Sequence, residues 1–278
     1  MSWRGNEHRL RIGERAVTLI DGPAGWGECS PLPGYPCDPD RARRAADEAA
    51  TVEFPPPVRD RVAVNALVTD RVEPSALLGY SCVKVKVRTA ADLDLVAEVR
   101  DTVGPRVGIR VDANGAWDVD TAVEMVGRLR RFGLELVEQP VATIEDLARV
   151  RRRVGVPIAA DESVRSVDDA RELRRLDAAD AVVLKVQPLG GVRAALEIAL
   201  AAGVPAVVTS MYETSVGLSA GLALAAALPE LPFACGLATL DRIAGDVVRA
   251  PLRPVDGVLA VRRPVPDPEL LARYEVAP

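Results

Sequence analysis

Histidine is almost missing from this chain: among 278 residues there is one, His8, in a polar stretch near the start. That argues against histidine-based catalysis and against a multi-histidine metal centre, and leaves proton chemistry to lysine and carboxylates. Cysteine is sparse too. Cys29, Cys37, Cys82 and Cys235 are scattered without a C-x-x-C spacing, which reads as reduced thiols in a cytoplasmic protein. No apolar run approaches the roughly 18 residues of a membrane span, and "RAVTLIDG" is too short and too mixed for a signal peptide. Positive charge is not in excess. Lys and Arg number 35 against 40 Asp and Glu, a net charge of −5, so no basic field for nucleic acid is expected. The partners left to expect are a small molecule and, at most, further copies of the chain, as a monomer or small homo-oligomer.

What the sequence does have is alternation. From residue 62 onward, eight short apolar runs recur: "VAVNALV" (62–68), "CVKVKV" (82–87), "VGIRVDA" (107–113), "LELVEQP" (134–140), "VPIAADE" (156–162), "AVVLKV" (181–186), "PAVVTS" (205–210) and "PFACG" (232–236). Most are rich in Val, Ile and Leu on both faces, as strands buried in a parallel sheet are. Helical patterns lie between them. Thr143 and Ser166 each have an acid three residues on, as helix N-caps do, and Gly133 closes a run ending in Arg130 and Arg131. "GGVRAALEIALAAG" and "TSVGLSAGLALAAALPE" are apolar enough to lie against a sheet. Eight strands alternating with helices predict an α/β fold, a (β/α) barrel. An open doubly wound sheet is the rival, but no GxGxxG follows the first strand.

Polar residues recur at the C-terminal ends of these runs: Lys84 and Lys86, Asp112, Glu138, Asp161, Lys185 and Ser210. From Lys86 the steps are 26, 26, 23, 24 and 25 residues. One βα unit of a barrel of roughly 250 residues has about that length, so the steps put one polar side chain at the same end of successive strands, where barrel active sites sit.

Taken singly, each has an ordinary explanation. Lys84 and Lys86 suit a protected edge strand, although a closed barrel has no edge. Asp112 in "VDANGAW" suits a turn, Glu138 an ion pair with an arginine, and Asp161 a helix cap. Jointly, three acids on consecutive strand ends would converge, and like charges that close need a cation. Oxygen ligands alone indicate a hard ion, most simply Mg²⁺, with Mn²⁺ as an alternative. Lys86 and Lys185 come from the strands before and after the acidic three, so a substrate held on the ion would meet one lysine on each face. Lys185 can equally be salt-bridged to one of the acids. Asn114, Gln139, Ser163 and Arg165 flank the acids as supporting or substrate-contacting groups, while Trp117 reads as packing. Gly190 and Gly191 open a helix whose amides can meet an anion. "TSMYETSVG" follows the seventh strand, where late barrel loops bind anionic groups, which nominates Thr209, Ser210 and Glu213 for substrate binding.

The ordered set Lys84-x-Lys86, Asp112 in "DANGAW", Glu138 in "EQP", Asp161 in "DES" and Lys185 resembles the enolase superfamily, muconate-lactonising branch. Within that branch, "GPAGWGECSPLPGY" (22–35), "VNALV" (64–68), "ETSVGL" (213–218) and "ACGLAT" (234–239) are similar to the actinobacterial o-succinylbenzoate synthase family. The resemblance implies a modified barrel over 61–239 and a small α+β capping domain built from both termini, 1–60 and 240–278. It also implies a mobile cap loop, 27–36, whose Leu32, Pro33 or Tyr35 touches the substrate. Two departures are visible. The segment before "GPAGWGE" is short, so either a first cap strand is expected to be trimmed or the start codon to be misplaced, and Thr209 and Ser210 stand where the family has paired serines.

The implied chemistry begins with removal of a proton from carbon beside a carboxylate, with Mg²⁺ on that carboxylate stabilising the enediolate. Free lysine is protonated at neutral pH, with a pKa of about 10.4. A second ammonium on the same face, together with the metal, favours an uncharged base, so Lys84 is expected to assist and Lys86 to act. Lys185 stabilises the intermediate from the opposite face. For a synthase the outcome is syn dehydration of a hydroxycyclohexadiene carboxylate, giving an aromatic precursor of menaquinone. The same residues allow racemisation or epimerisation of an acylated amino acid or dipeptide. A non-catalytic metal-binding barrel is the alternative of another class, and an intact lysine pair argues against it.

Overall fold

The computed structural model describes residues 6–276. The chain opens with three antiparallel strands, β1 (Asn6–Ile12), β2 (Arg15–Gly22) and β3 (Gly25–Cys29), followed by helix α1 (Pro39–Thr51). β1 pairs with β2 along its whole length, from Asn6 opposite Asp21 to Ile12 opposite Arg15. The short segment expected to lack a first cap strand therefore supplies one. Period-two alternation buries Leu10 and Ile12 of β1 with Val17 and Leu19 of β2 on one face.

The run expected as one strand over 62–68 divides at Val64 and Asn65. Its first half is β4 (Arg61–Ala63) and its second β5 (Ala66–Val68). Then come β6 (Cys82–Lys86), α2 (Asp92–Val103), β7 (Gly108–Asp112), α3 (Val119–Leu129), β8 (Leu134–Glu138) and α4 (Ile144–Arg151). They are followed by β9 (Ile158–Ala160), α5 (Val167–Arg175), β10 (Ala181–Lys185), α6 (Val186–Leu189), α7 (Val192–Ala202), β11 (Ala206–Thr209) and α8 (Ser215–Ala227). β5 to β11 form one parallel sheet in chain order. The eighth run survives only as bridging residues, yet these close the ring. Gly236 N donates to Val208 O at 2.8 Å and Ser210 N to Gly236 O at 3.2 Å on one side. On the other, Cys235 N donates to Ala63 O at 2.7 Å and Asn65 N to Cys235 O at 2.9 Å. The fold is thus a modified (β/α) barrel, and β6 lies between β5 and β7 rather than at an edge.

Local signals account for the elements. Thr143 Oγ1 accepts from Asp146 N, and Ser166 Oγ from Asp169 N, each at 3.1 Å, so both N-caps are made. Gly133 turns left-handed at φ 65° and ends the helical run. On β6, Val83 and Val85 are fully buried against the helices, which leaves Lys84 and Lys86 facing the barrel interior. The floor of that interior is filled by Leu136, Ala159, Ala181, Val183 and Val207. Arg110, also fully buried, pairs with Glu135 at 2.5 Å and lies over the Phe233 ring. No helix among the described residues is long and apolar enough to cross a membrane.

The C-terminal tail serves both layers. β12 (Val258–Ala260) pairs antiparallel with β4, and Leu240, Leu252 and Leu259 join the barrel core. Val247, Val248 and Leu271, the last on α9 (Pro268–Tyr274), join the core of the N-terminal sheet.

Two of the contacts that seat the cap on the barrel, among the described residues, are built on glutamates. Glu48 of α1 accepts from Val192 N at 3.1 Å and Arg193 N at 3.2 Å, at the start of α7. The anion expected at Gly190-Gly191 is thus the protein's own carboxylate, meeting a helix N-terminus. The other contact is a buried polar network. Glu28 of β3 accepts from Ser30 Oγ at 2.6 Å and Gly217 N at 2.9 Å, and also from Thr214 Oγ1. Gln187 accepts from Ser30 N at 2.8 Å and donates to Glu213 Oε1 at 3.3 Å. Burial, then the nearby Glu28 charge, push Glu213 up to about 7.

Two outcomes follow from these joints. Gly191 has φ +138°, and a Cβ there would come within 2.2 Å of Glu48 Oε2. Gly191→Ala should lower unfolding free energy by about 1–3 kcal/mol in urea melts; an unchanged midpoint would contradict the close approach. For Glu213, the folded protein binds the proton more tightly than the unfolded chain, so stability is present at acid pH and declines as pH rises from about 4.5 to 7. Glu213→Gln should remove that decline, worth up to about 3 kcal/mol at pH 8. Parallel stability–pH curves for the two proteins would refute it.

Candidate active site

Parallel register sets the site. Lys86 is level with Asp112, Asp112 with Glu138, and Lys185 with Thr209, while Asp161 follows the last residue of β9. Inward alternation on β6 aims Lys84 and Lys86 at the acids. Asp112, Glu138 and Asp161 are all buried, at 1%, 3% and 4% exposure, so their charge cannot be left to solvent.

The lysines take up that charge. Lys84 Nζ lies 2.7 Å from Asp112 Oδ2 and 2.5 Å from Glu138 Oε1. Lys86 Nζ shares the same Asp112 oxygen at 2.6 Å and donates to Asn114 Oδ1 at 2.7 Å. Lys185 Nζ is bonded to Asp161 Oδ2 and stands 4.8 Å from the centre of the Tyr35 ring. Tyr35 Oη donates to Asp161 Oδ1 at 3.0 Å. The salt bridge open to Lys185 from the sequence is therefore formed.

These pairings do not share charge evenly. Burial acts to raise Asp112, but Lys84 and Lys86 outweigh it and hold that carboxyl well below the usual range. Burial, then the Asp112 charge, push Glu138 up to about 7, because Lys84 is divided between the two. Asp161 is also raised, by burial foremost, against the pull of Lys185. For Lys84, burial works against the charge, yet Asp112 and Glu138 win and its pKa is raised. Lys185 is raised likewise, by Asp161 and then Tyr35.

No three carboxylate, thiol or imidazole groups among the described residues stand in a ready metal-ligating array, since ammonium groups occupy the acids' oxygens. The donor chemistry nonetheless fits a hard divalent cation: three all-oxygen side chains at neighbouring strand ends, buried, two of them short of positive charge.

Two connected cavities open onto this cluster. The inner one, about 80 Å³, is lined by Lys84, Lys86, Asp112, Asp161, Lys185, Thr209, Ser210, Leu32 and Tyr35. The mouth, about 1020 Å³, adds Pro33, Gly34, Pro36, Arg88, Glu162 and Arg165. The cap loop thus lies over the barrel mouth, bent at Gly34 with φ 82°. Of the nominated substrate contacts, Asn114, Thr209, Ser210, Leu32 and Tyr35 face the inner cavity. Ser210 Oγ is bonded to Thr239 Oγ1 at 2.5 Å.

Glu213 requires correction: it lines neither cavity and belongs to the cap–barrel network, where Met211 N donates to it at 2.6 Å. Gln139 braces the loop after β9, accepting from Asp161 N at 2.6 Å and Ser163 Oγ at 3.0 Å. Trp117 is buried and its Nε1 donates to Arg88 O at 2.7 Å, as packing requires. Asn65, Tyr212 and Thr239 line the inner cavity and escaped the sequence reading. For Asn65 the signal was there, a lone amide inside an apolar run.

The chain matches two family models, "Enolase N-terminal domain-like" over residues 7–50 and "Enolase C-terminal domain-like" over 67–267. It is 55% identical to a Thermobifida fusca protein named o-succinylbenzoate synthase, covering 97% of this chain and 90% of that one. A Mycolicibacterium smegmatis protein of the same name is 48% identical over 94% of this chain and 84% of its own. Among solved structures, the muconate lactonizing enzyme of Pseudomonas putida aligns with TM-score 0.83 at 22% identity, over 98% of both chains. A dipeptide epimerase of Enterococcus faecalis gives 0.80 at 23%, over 95% of this chain and 96% of its own. At such identities these two likenesses carry the fold alone. The relatives at about half identity over nearly the full length carry more: the chain belongs to the o-succinylbenzoate synthase family of the enolase superfamily.

Proposed function

We propose that this enzyme is an o-succinylbenzoate synthase, a carbon–oxygen lyase. It dehydrates 2-succinyl-6-hydroxy-2,4-cyclohexadiene-1-carboxylate to o-succinylbenzoate in menaquinone biosynthesis. The observation that carries the chemistry is one cavity with Lys86 and Lys185 on strands either side of three buried acids. The relatives' name supplies the reaction.

Asp112, Glu138 and Asp161 would hold a divalent ion, Mg²⁺ by the hardness of the donors, with Mn²⁺ as substitute. Such an ion supplies positive charge to the substrate carboxylate as the adjacent carbon loses its proton. Lys86 takes that proton. Lys185, a buried ammonium, faces the enediolate from the other side and stabilises its charge as it develops. Lys86 then returns the proton to the departing hydroxyl, the C–O bond breaks with its electron pair on oxygen, and the ring becomes aromatic. Base and acid being one residue, the elimination is syn. Lys84, fixed between Asp112 and Glu138, contributes charge and no proton. Tyr35 and Leu32 close the site from the cap and exclude water. Four free cysteines suit a reducing compartment, and we assign the enzyme to the cytoplasm.

A racemase or epimerase reading draws on the same pair of lysines, one per substrate face. Heavy water separates the two. Lys86→Ala should lower dehydration by about a hundredfold to ten-thousandfold, the range for losing a general base. Lys185→Ala should be severely impaired, while Lys185→Arg keeps a charge and part of the activity. With the two enantiomers of an N-succinyl amino acid, proton NMR should show deuterium entering one configuration only. Fast exchange of both enantiomers without detectable dehydration would favour the racemase.

A further inference from the structure

Asp112 and Asp161 are bonded alike. Each gives its Oδ2 to ammonium: Asp112 to Lys84 at 2.7 Å and Lys86 at 2.6 Å, Asp161 to Lys185. Each gives its Oδ1 to an uncharged donor. For Asp112 that donor is local, Asn114 N at 2.9 Å, two residues along the chain. For Asp161 it is Tyr35 Oη at 3.0 Å, 126 residues away and on the cap loop. One carboxylate is thus fixed from within the barrel and the other from the cap.

The cap loop is tied down on both sides of this contact. Arg15 of β2 donates to Ser30 O and, at 3.2 Å, to Met211 O. Arg41 of α1, just beyond the loop, donates to Arg165 O at 2.6 Å. Between these ties runs "LPGYP" (32–36), in which Tyr35 carries the one polar side chain. Among the described residues, the backbone hydrogen bonds of this stretch are local: Tyr35 N donates to Leu32 O at 3.2 Å and Cys37 N to Tyr35 O at 2.7 Å. The phenol is therefore the hydrogen bond that joins the middle of the loop to the barrel. Its ring also stands 4.8 Å from Lys185 Nζ, within cation–π range.

A phenol is a neutral donor at physiological pH. It orients a carboxylate without cancelling its charge, which an ammonium does. The two oxygens of Asp161 therefore differ in what they can do. Oδ2 can exchange the Lys185 ammonium for another cation, while Oδ1 stays with the phenol. Groups that hydrogen-bond to a metal-ligating side chain fix its orientation and tune the affinity for the ion. Resting on the metal site proposed above, we propose that Tyr35 is a positioning residue that fixes Asp161 for the divalent ion and so couples docking of the cap loop to metal binding. The coupling is reciprocal: if a docked Tyr35 strengthens binding of the ion, the ion strengthens docking of Tyr35 by the same factor. The loop that covers the substrate is then held most firmly over a site that already carries its metal.

The test titrates Mn²⁺, without substrate, into wild type and Tyr35→Phe, reading free Mn²⁺ by electron paramagnetic resonance. Phenylalanine keeps a ring beside Lys185 and removes only the hydroxyl. Kd should rise about tenfold or more, as for loss of a group that supports a metal ligand. The second measurement is hydrogen exchange by mass spectrometry. Mg²⁺ should slow the amides of residues 27–36 in wild type and leave them unaltered in Tyr35→Phe, whereas a merely structural role would change their exchange equally with and without the ion. An equal Kd in the two proteins would overturn the proposal. So would tighter binding by Tyr35→Phe, which would make the phenol a competitor of the ion. If Tyr35→Phe fails to fold by circular dichroism, the wild-type exchange decides, and loop amides indifferent to Mg²⁺ would overturn it. A wild type that binds no Mn²⁺ would overturn the metal site itself, and this inference with it.

Discussion

Three carboxylates buried at adjacent strand ends are the constraint around which this molecule is arranged. Asp112, Glu138 and Asp161 cannot remain ionised side by side without positive charge among them. Lys84, Lys86 and Lys185 supply it, and the match is incomplete: Glu138 is pushed up to about 7 by burial and by Asp112, while Lys84 is divided between them. That shortfall suits the site to the hard cation proposed above. The lysine–carboxylate bonds and the proposed metal site are alternative ways of neutralising the same oxygens. In that proposal, an ion taking the acids would free the lysines to face substrate.

The barrel serves this cluster by register. Parallel pairing sets Lys86, Asp112 and Glu138 level, and the step of about one βα unit delivers the next polar group to the same rim. The cap answers a different need. A cluster open to water would have its electrostatics screened. The loop bearing Leu32 and Tyr35 covers the inner cavity, and the Glu28–Gln187–Glu213 network with the Glu48–α7 contact keeps it seated. The tail binds both layers, with Leu259 in the barrel core and Leu271 in the cap core.

What was legible in the sequence follows from which signals are local. Strand ends and helix caps are written in short patterns, so the Lys86–Asp112–Glu138–Asp161–Lys185 series and the caps at Thr143 and Ser166 could be read directly. The break at Val64 and Asn65 could not, because it depends on the distant partners Cys235 and Gly257 that claim the backbone there. The reduction of 232–236 to bridges has the same origin. Glu213 misled because a strand-end acid can turn either way. Only the fold shows it facing Gln187 and the cap, where Glu28 already lies. The acids' engagement with lysines was open from the sequence at Lys185 alone, since pairing across strands is set by depth in the barrel and not by spacing along the chain.

The central claim is that these three carboxylates leave their lysines to bind one divalent ion beneath the substrate carboxylate. A crystal structure grown with Mg²⁺ and o-succinylbenzoate tests it most directly. The account predicts an oxygen from each of Asp112, Glu138 and Asp161 on a single ion at about 2.0–2.1 Å. Lys84 and Lys185 should be released from those oxygens, and Lys86 and Lys185 should stand on opposite faces of the ring. Acids still bonded to the lysines, with the ion or the product held elsewhere, would contradict it.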